Sequence, residues 1–247
     1  MKIIGVIPAR YDSKRFPGKV LADLLGKPLI QRVYEQAKEA EILDDVLVAT
    51  DSKKIFKVVE NFKGKAIMTS TDCRSGTDRL AEVARGLDAD IFVNIQGDEP
   101  LISPKVVTKV AQELIKDKTI SIATVARKIT SLEELNNPNI VKVVIDNDRF
   151  ALYFSRAQIP YVRNPIELKD VNSVSYKHIG LYAYSREFLL NFVQLEQTPL
   201  EKVEDLEQLR ALENGYRIKV AITECDSIGV DTREDLEKVR KILKNSK

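Results

Sequence analysis

Much of what defines other protein classes is missing from this chain. Its 247 residues contain two cysteines, Cys73 and Cys225, too few for a disulfide framework or a zinc site. There is one histidine, His178, and a lone histidine is by default structural. No apolar run approaches the roughly 18–20 residues that cross a bilayer, so membrane insertion is not expected. The N-terminus lacks a charged-then-apolar leader with a small-residue cleavage site. Excess charge of one sign is absent as well: 39 lysines and arginines face 37 acidic residues. A nucleic-acid binder gathers cations on one face, so that partner is not expected either. No repeat, low-complexity stretch or Gly/Ser linker interrupts the chain. These absences leave a soluble, reduced, cytoplasmic protein of one α/β domain spanning 1–247, with 44% hydrophobic residues to build its core.

What is present is a rhythm. Strand-like "KIIGVI", "DVLVAT", "KAIM", "DIFVNI" and "ISIATVA" alternate with helical patterns from about Pro28 to Ala40, Ser52 to Asn61 and Asp78 to Leu87, and with a helix opened by Ser103 and Pro104. Alternation of this kind predicts a mostly parallel sheet with helices on both faces. A β-rich section at about 132–200 changes the rhythm. "IVKVVIDNDRFALYFS" reads as a hairpin around Asp146-Asn147-Asp148, and "HIGLYAY" as a further strand. The polar stretch from Arg163 to Tyr176 reads as an excursion. Thr198, Pro199 and Glu201 then open a helix, with Val203–Leu206–Leu209 as its apolar row and Gly215 as its stop. "RIKVAIT" is a last strand, and Thr232 caps a closing helix through about Leu243.

Ligands of open parallel sheets bind at loops leaving the carboxyl ends of strands. Three such loops carry chemistry. In "KIIGVIPARYDSKRFPGK", Arg10, Lys14, Arg15 and Lys19 directly follow a buried strand; with Gly18 allowing close backbone approach, they suit a polyphosphate. In "STDCRSGTDRLAEV", a Ser-Gly-Thr turn at a helix start can offer N–H groups to an anion, while helix capping explains Thr77 equally well. In "DIFVNIQGDEPLI", Asp98 follows an apolar strand and Gly97. A carboxylate there can hold Mg²⁺, which takes its remaining ligands from phosphate and water. Asp231, after a strand and before a helix, is either a second metal carboxylate or a helix N-terminal one. Glu207 and Gln208 lie off the apolar row, where solvated polar residues are routine. A surface role is the default for Arg156 and Arg163.

In combination these segments are far more specific. "IPARYDSKRFPGK", "RSGTDRLAEV", "NIQGDEP", "NPNIVKVV", "ALYFSRAQIP", "HIGLYAY", "LEQLRAL" and "GVDTREDLEKVR" resemble, in order and from about Lys2 to Ile242, the CMP-Kdo synthetases, the 3-deoxy-manno-octulosonate (Kdo) cytidylyltransferases of Gram-negative bacteria. The resemblance implies an α/β fold of nucleotide-diphospho-sugar-transferase type, homodimeric through its β-rich section. It implies transfer of cytidylyl from CTP to the anomeric hydroxyl of Kdo with Mg²⁺, releasing pyrophosphate and activating Kdo for lipopolysaccharide synthesis. By the same resemblance, Ala9, Arg10 and Lys19 grip CTP with Arg15 nearby. Arg74, Ser75 and Gly76 approach the nucleotide, and Gln96 lies near both substrates. Asp98 and Asp231 match the metal carboxylates, with Arg10 and Lys19 sharing in catalysis. Arg156, Arg163, His178, Tyr182, Glu207 and Gln208 match the sugar site.

Overall fold

The strand-helix alternation predicted above is what the chain adopts, with strands running parallel wherever a helix connects neighbours. A computed structural model describes residues 1–12, 15–161, 163 and 173–245. Nine strands form one sheet among these residues: β1 (Ile3–Ala9), β2 (Asp45–Thr50), β3 (Ala66–Met68), β4 (Ile91–Asn94), β5 (Ile122–Lys128), β6 (Lys142–Ile145), β7 (Ala151–Ser155), β8 (Tyr176–Ser185) and β9 (Lys219–Thr223). The order is β3-β2-β1-β4-β8-β5-β9. β1 pairs in parallel with β2 and β4, and β5 with β9. β8 is antiparallel to each strand it pairs with, β4, β5 and β6. The hairpin β6–β7 forms as its turn residues predict and joins the sheet through β6 and the start of β8.

Alternation along the central strands separates two cores. Ile3, Ile7 and Ala9 face one core, closed by α1 (Leu29–Lys38), α2 (Lys53–Asn61) and α4 (Pro104–Lys116). Ile4 and Val6 face the other, with the buried side of α3 (Gly76–Gly86). Two short helices not singled out in the sequence, α5 (Leu132–Asn136) and α6 (Arg186–Phe192), flank the β-rich section. Serines cap both: Ser131 Oγ accepts from Glu134 N and Ser185 Oγ from Phe188 N.

One predicted helix is two. α7 (Pro199–Glu204) and α8 (Gln208–Glu213) are separated at Asp205, whose φ of 53° ends the first. The apolar row assigned to it does not exist as a row, since Val203 is 83% exposed while Leu206 and Leu209 are buried. Gly215, at φ 81°, does end the second helix. Thr232 caps the last, α9 (Arg233–Asn245), by accepting from Asp235 N at 3.2 Å. Most of the polar excursion, residues 164–172, and Lys14 lie outside the described residues.

Candidate active site

Strand β1 carries the chain to Ala9, and after it the chain turns at Gly18. This glycine is left-handed at φ 70°, its N–H donates to Tyr11 O at 2.9 Å, and a Cβ there would press the Tyr11 ring at 3.3 Å. Its role is therefore to turn the loop, not to admit a ligand closely. Close approach belongs to two other glycines. A Cβ on Gly97 would lie 2.9 Å from Pro8 O, and one on Gly76 would lie 3.2 Å from Pro8 Cγ. The three chemistry-bearing loops thus converge on the end of β1.

The turn sets Lys19 between two carboxylates. Its Nζ donates to Asp98 Oδ2 at 2.6 Å and to Asp231 Oδ1 at 2.9 Å, and Arg15 contacts Asp231 Oδ2 at 2.8 Å. Burial pulls the Lys19 pKa down, but Asp98 and Asp231 outweigh it and hold the ammonium above its ordinary value. The two aspartates are joined through the backbone as well, Val230 N donating to Asp98 O at 2.9 Å. No cluster of three or more His, Cys, Asp or Glu suited to a metal occurs among the described residues. Asp98 and Asp231 are the pair that could hold one, and a Mg²⁺ ion needs only one or two protein carboxylates. That one cation already spans both side chains shows that their oxygens converge on a common point.

These groups line a cleft of about 620 Å³. Every residue assigned above to nucleotide or metal is in its wall: Ala9, Arg10, Arg15 and Lys19 from the first loop, Arg74, Ser75 and Gly76 from the second, and Gln96, Asp98 and Asp231 from the far side. The cap of α3 is Ser75 and not Thr77. Ser75 Oγ accepts from Asp78 N at 3.1 Å, and Asp78 accepts from the N–H groups of Ser75 and Arg74. Thr77 is left to donate its hydroxyl to Glu207, 130 positions away.

Beyond Arg74 and Ser75 a second hollow of about 1190 Å³ opens, bounded by Glu207, Arg210 and Asp205. Asp205, Arg74 and Ser75 line both. Glu207 is not a solvated helix residue. Burial raises its carboxyl pKa against the hydrogen bonds from Thr77 and Ser75. Gln208 is buried, and its Nε2 has no hydrogen-bond partner among the described residues. Both corrections follow from the break at Asp205, which turns α8 inward.

Strand β8 supplies the rest. Its pairing with β5 slips at Thr124/Val125, a bulge of the kind often found beside active sites. The slip frees two carbonyls: Gln96 Nε2 donates to Gly180 O at 3.1 Å and Thr124 Oγ1 to Leu181 O at 2.9 Å. His178 Nε2 lies 2.9 Å from Thr124 Oγ1, and its ring meets Phe154 edge-on and Tyr182 at a tilt. Desolvation brings its pKa down to about 3, so the ring is neutral. Burial raises Tyr182 well above the usual phenol range. The Arg156 guanidinium is occupied by backbone, Nε donating to Glu204 O at 2.8 Å and Nη2 to Asp205 O at 3.3 Å. Arg163 is exposed. Arg156, Arg163, His178, Tyr182 and Gln208 line neither hollow.

Several structural participants had no assigned role. Arg79 is buried under the cleft, its Nη2 2.7 Å from Asp51 Oδ2 and its Nη1 on Thr69. It stands four residues after Ser75, a spacing that on a helix brings it back to the cap's face. Glu99 is pushed by burial up to about 7, against the hydrogen bond it accepts from Ser227. Nothing local in the sequence signals Thr124 or Asp205.

A cytidylyltransferase family model matches residues 4–219. A 3-deoxy-manno-octulosonate cytidylyltransferase of Geotalea uraniireducens is 52% identical over 99% of this chain and all of its own. That of Trichlorobacter lovleyi is 51% identical over 99% of both. Among solved structures, a CMP:2-keto-3-deoxy-manno-octonic acid synthetase complexed with CTP superposes with a TM-score of 0.94 at 44% identity, each chain covered completely. A 4-diphosphocytidyl-2C-methyl-D-erythritol synthase from Anaerococcus prevotii, 16% identical with a TM-score of 0.64 over 98% of both chains, shares the fold.

Proposed function

The chain belongs to the 3-deoxy-manno-octulosonate cytidylyltransferases, and from that premise we propose that it transfers the cytidylyl group of CTP to the anomeric hydroxyl of Kdo, releasing pyrophosphate. The observation that carries this reading is the meeting of Asp98 and Asp231 on one cation beside Arg10, Arg15 and the capped turn at Ser75. Such a site collects positive charge for a triphosphate and keeps two carboxylates for a divalent ion.

In this mechanism Arg10, Arg15 and Lys19 bind the triphosphate and offset the negative charge that grows on departing pyrophosphate. Arg74, Ser75 and Gly76 orient the nucleotide, with Gln96 between the two substrates. The acceptor binds beyond Gln96, toward β8 and the start of α8. Glu207 and Gln208 meet its hydroxyls, and Arg156 and Arg163 its carboxylate, with His178 and Tyr182 bounding that end. Asp98 and Asp231 would hold Mg²⁺, which when bound would neutralise phosphate charge and make the sugar hydroxyl easier to deprotonate. The neutral His178 ring acts as a hydrogen-bond partner and not as a base. Attack on the α-phosphorus is in line and direct, with no covalent enzyme intermediate.

The working protein is a cytoplasmic homodimer joined through the β-rich section about 132–200, and its product feeds lipopolysaccharide synthesis. Support for the dimer comes from apolar side chains left open there: Tyr161 is 86% exposed, Leu152 62% and Leu132 53%. The decisive assay is pyrophosphate release. It is expected only with CTP, Kdo and Mg²⁺ together; CTP binding without release, or preference for sialic acid, overturns the proposal. Sedimentation of Leu152→Glu tests the dimer.

A further inference from the structure

The loop that carries Asp231 is tied down before the chain reaches it. Asp226 is 2.8 Å from both Arg127 Nη2 and Lys177 Nζ. Ser227 Oγ donates to Glu99 Oε2 at 2.7 Å. Val230 N then reaches Asp98 O. After Asp231, the Thr232–Asp235 cap fixes the start of α9. Two of these ties run to Asp98 and its immediate neighbour. The spacing between the two aspartates is therefore set largely by contacts made outside the cleft.

We propose that Glu99 and Ser227 form a latch that holds Asp98 and Asp231 at the separation a divalent cation needs. Both are positioning residues, and the inference rests on the metal reading above. The latch is the side-chain bond between the two loops, made one residue from Asp98 and 128 positions apart in sequence. The Glu99 carboxyl is partly buried, so losing the Ser227 hydroxyl forces it to seek another partner, and the loop shifts with it. Gly229, between Ser227 and Val230, has no neighbour within 4 Å of where a Cβ would stand, so this part of the loop is held by the ties on either side of it.

The test is Mn²⁺ binding, read by electron paramagnetic resonance on the full chain with CTP present and Kdo omitted, beside a melting curve. Ser227→Ala and Glu99→Ala are each expected to weaken Mn²⁺ binding about tenfold, the lower end of what outer partners of metal ligands contribute. Ser227→Thr and Glu99→Gln, which keep a hydrogen-bonding group, should restore most of it. Mn²⁺ affinity within about twofold of the parent in both alanine variants overturns the latch. So does a loss that the conservative variants fail to restore, since that marks general loosening of the loop. The removal variants approach the bond from opposite sides, so either one decides if the other does not fold. Failure of the underlying reading is seen separately: Asp98→Asn and Asp231→Asn would then leave Mn²⁺ affinity unchanged.

Discussion

The groups proposed to hold the nucleotide and those proposed to hold the sugar follow opposite electrostatic plans. At the proposed nucleotide end, charges stand on loops, partly open, and satisfy one another: Lys19 with Asp98 and Asp231, Arg15 with Asp231. At the proposed sugar end, burial suppresses the charge of the titratable groups. Glu207 is raised by burial, His178 is neutral, and Tyr182 keeps its proton. One end can recognise a highly charged ligand by summed charge. The other can recognise hydroxyls by desolvated hydrogen bonds, where an unmet partner is expensive. The difference also separates function from folding. Loop charges can be neutralised without touching the core, whereas Thr77–Glu207 and Thr124–His178 are tertiary contacts in their own right.

The largest expected effect is at the first end. Asp98→Asn and Asp231→Asn should each cut turnover by roughly 10²–10³-fold, the equivalent of several kcal/mol of lost charge stabilisation. Melting curves should stay close to the parent, and normal turnover at saturating Mg²⁺ would remove either residue from the metal site. Next, Lys19→Ala and Arg10→Ala should lower kcat/KM for CTP by about tenfold or more while leaving KM for Kdo nearly unchanged. A raised KM for Kdo with CTP kinetics intact would break the comparison, because it would place these cations at the sugar end.

Glu207 should behave differently from any loop charge. Glu207→Ala removes a half-buried carboxyl and the partner of Thr77, and should cost about 1–3 kcal/mol in both stability and transition-state binding of Kdo. Glu207→Gln keeps the shape and an acceptor, so it should recover the melting temperature more fully than the Kdo efficiency. Equal recovery of both would leave Glu207 a structural residue. His178 sharpens the same contrast through pH. Its pKa is about 3 when folded against 6.5 when free, so on acidification the unfolded chain takes up a proton that the native one refuses. Stability is therefore lost as pH falls from about 6.5 toward 3, and His178→Asn should show a shallower decline in chemical denaturation across that window. An unchanged slope would mean the ring is solvated.

The smallest effect is expected where the two hollows meet. Cys73 lines both, but burial and its contact with Glu82 push its thiol up to about 11. Little thiolate exists at neutral pH. Cys73→Ser should alter turnover less than about twofold, and the native thiol should react slowly with iodoacetamide at pH 8. Rapid alkylation would contradict the enclosure of this junction.

By itself the sequence determined the strands, most of the helices and the loops on which the nucleotide-end residues stand. Each of those features depends on neighbours: apolar runs make strands, Pro104 starts a helix, Arg10, Lys19 and Asp98 follow strands β1 and β4, which pair side by side, and Asp231 follows the last strand. Only the tertiary structure decided which groups meet. Lys19 bridges partners 79 and 212 positions away, and no local pattern records such a distance. The sugar end was the less legible for the same reason. A capping signal and apolar residues promised one helix from Thr198 to Gly215. The left-handed turn at Asp205 breaks it, leaving Val203 in solvent, burying Gln208 and bringing Glu207 to Thr77. Helix signals are short-ranged, whereas the burial that overrides them comes from contacts with the rest of the chain, and those exist only once it has folded.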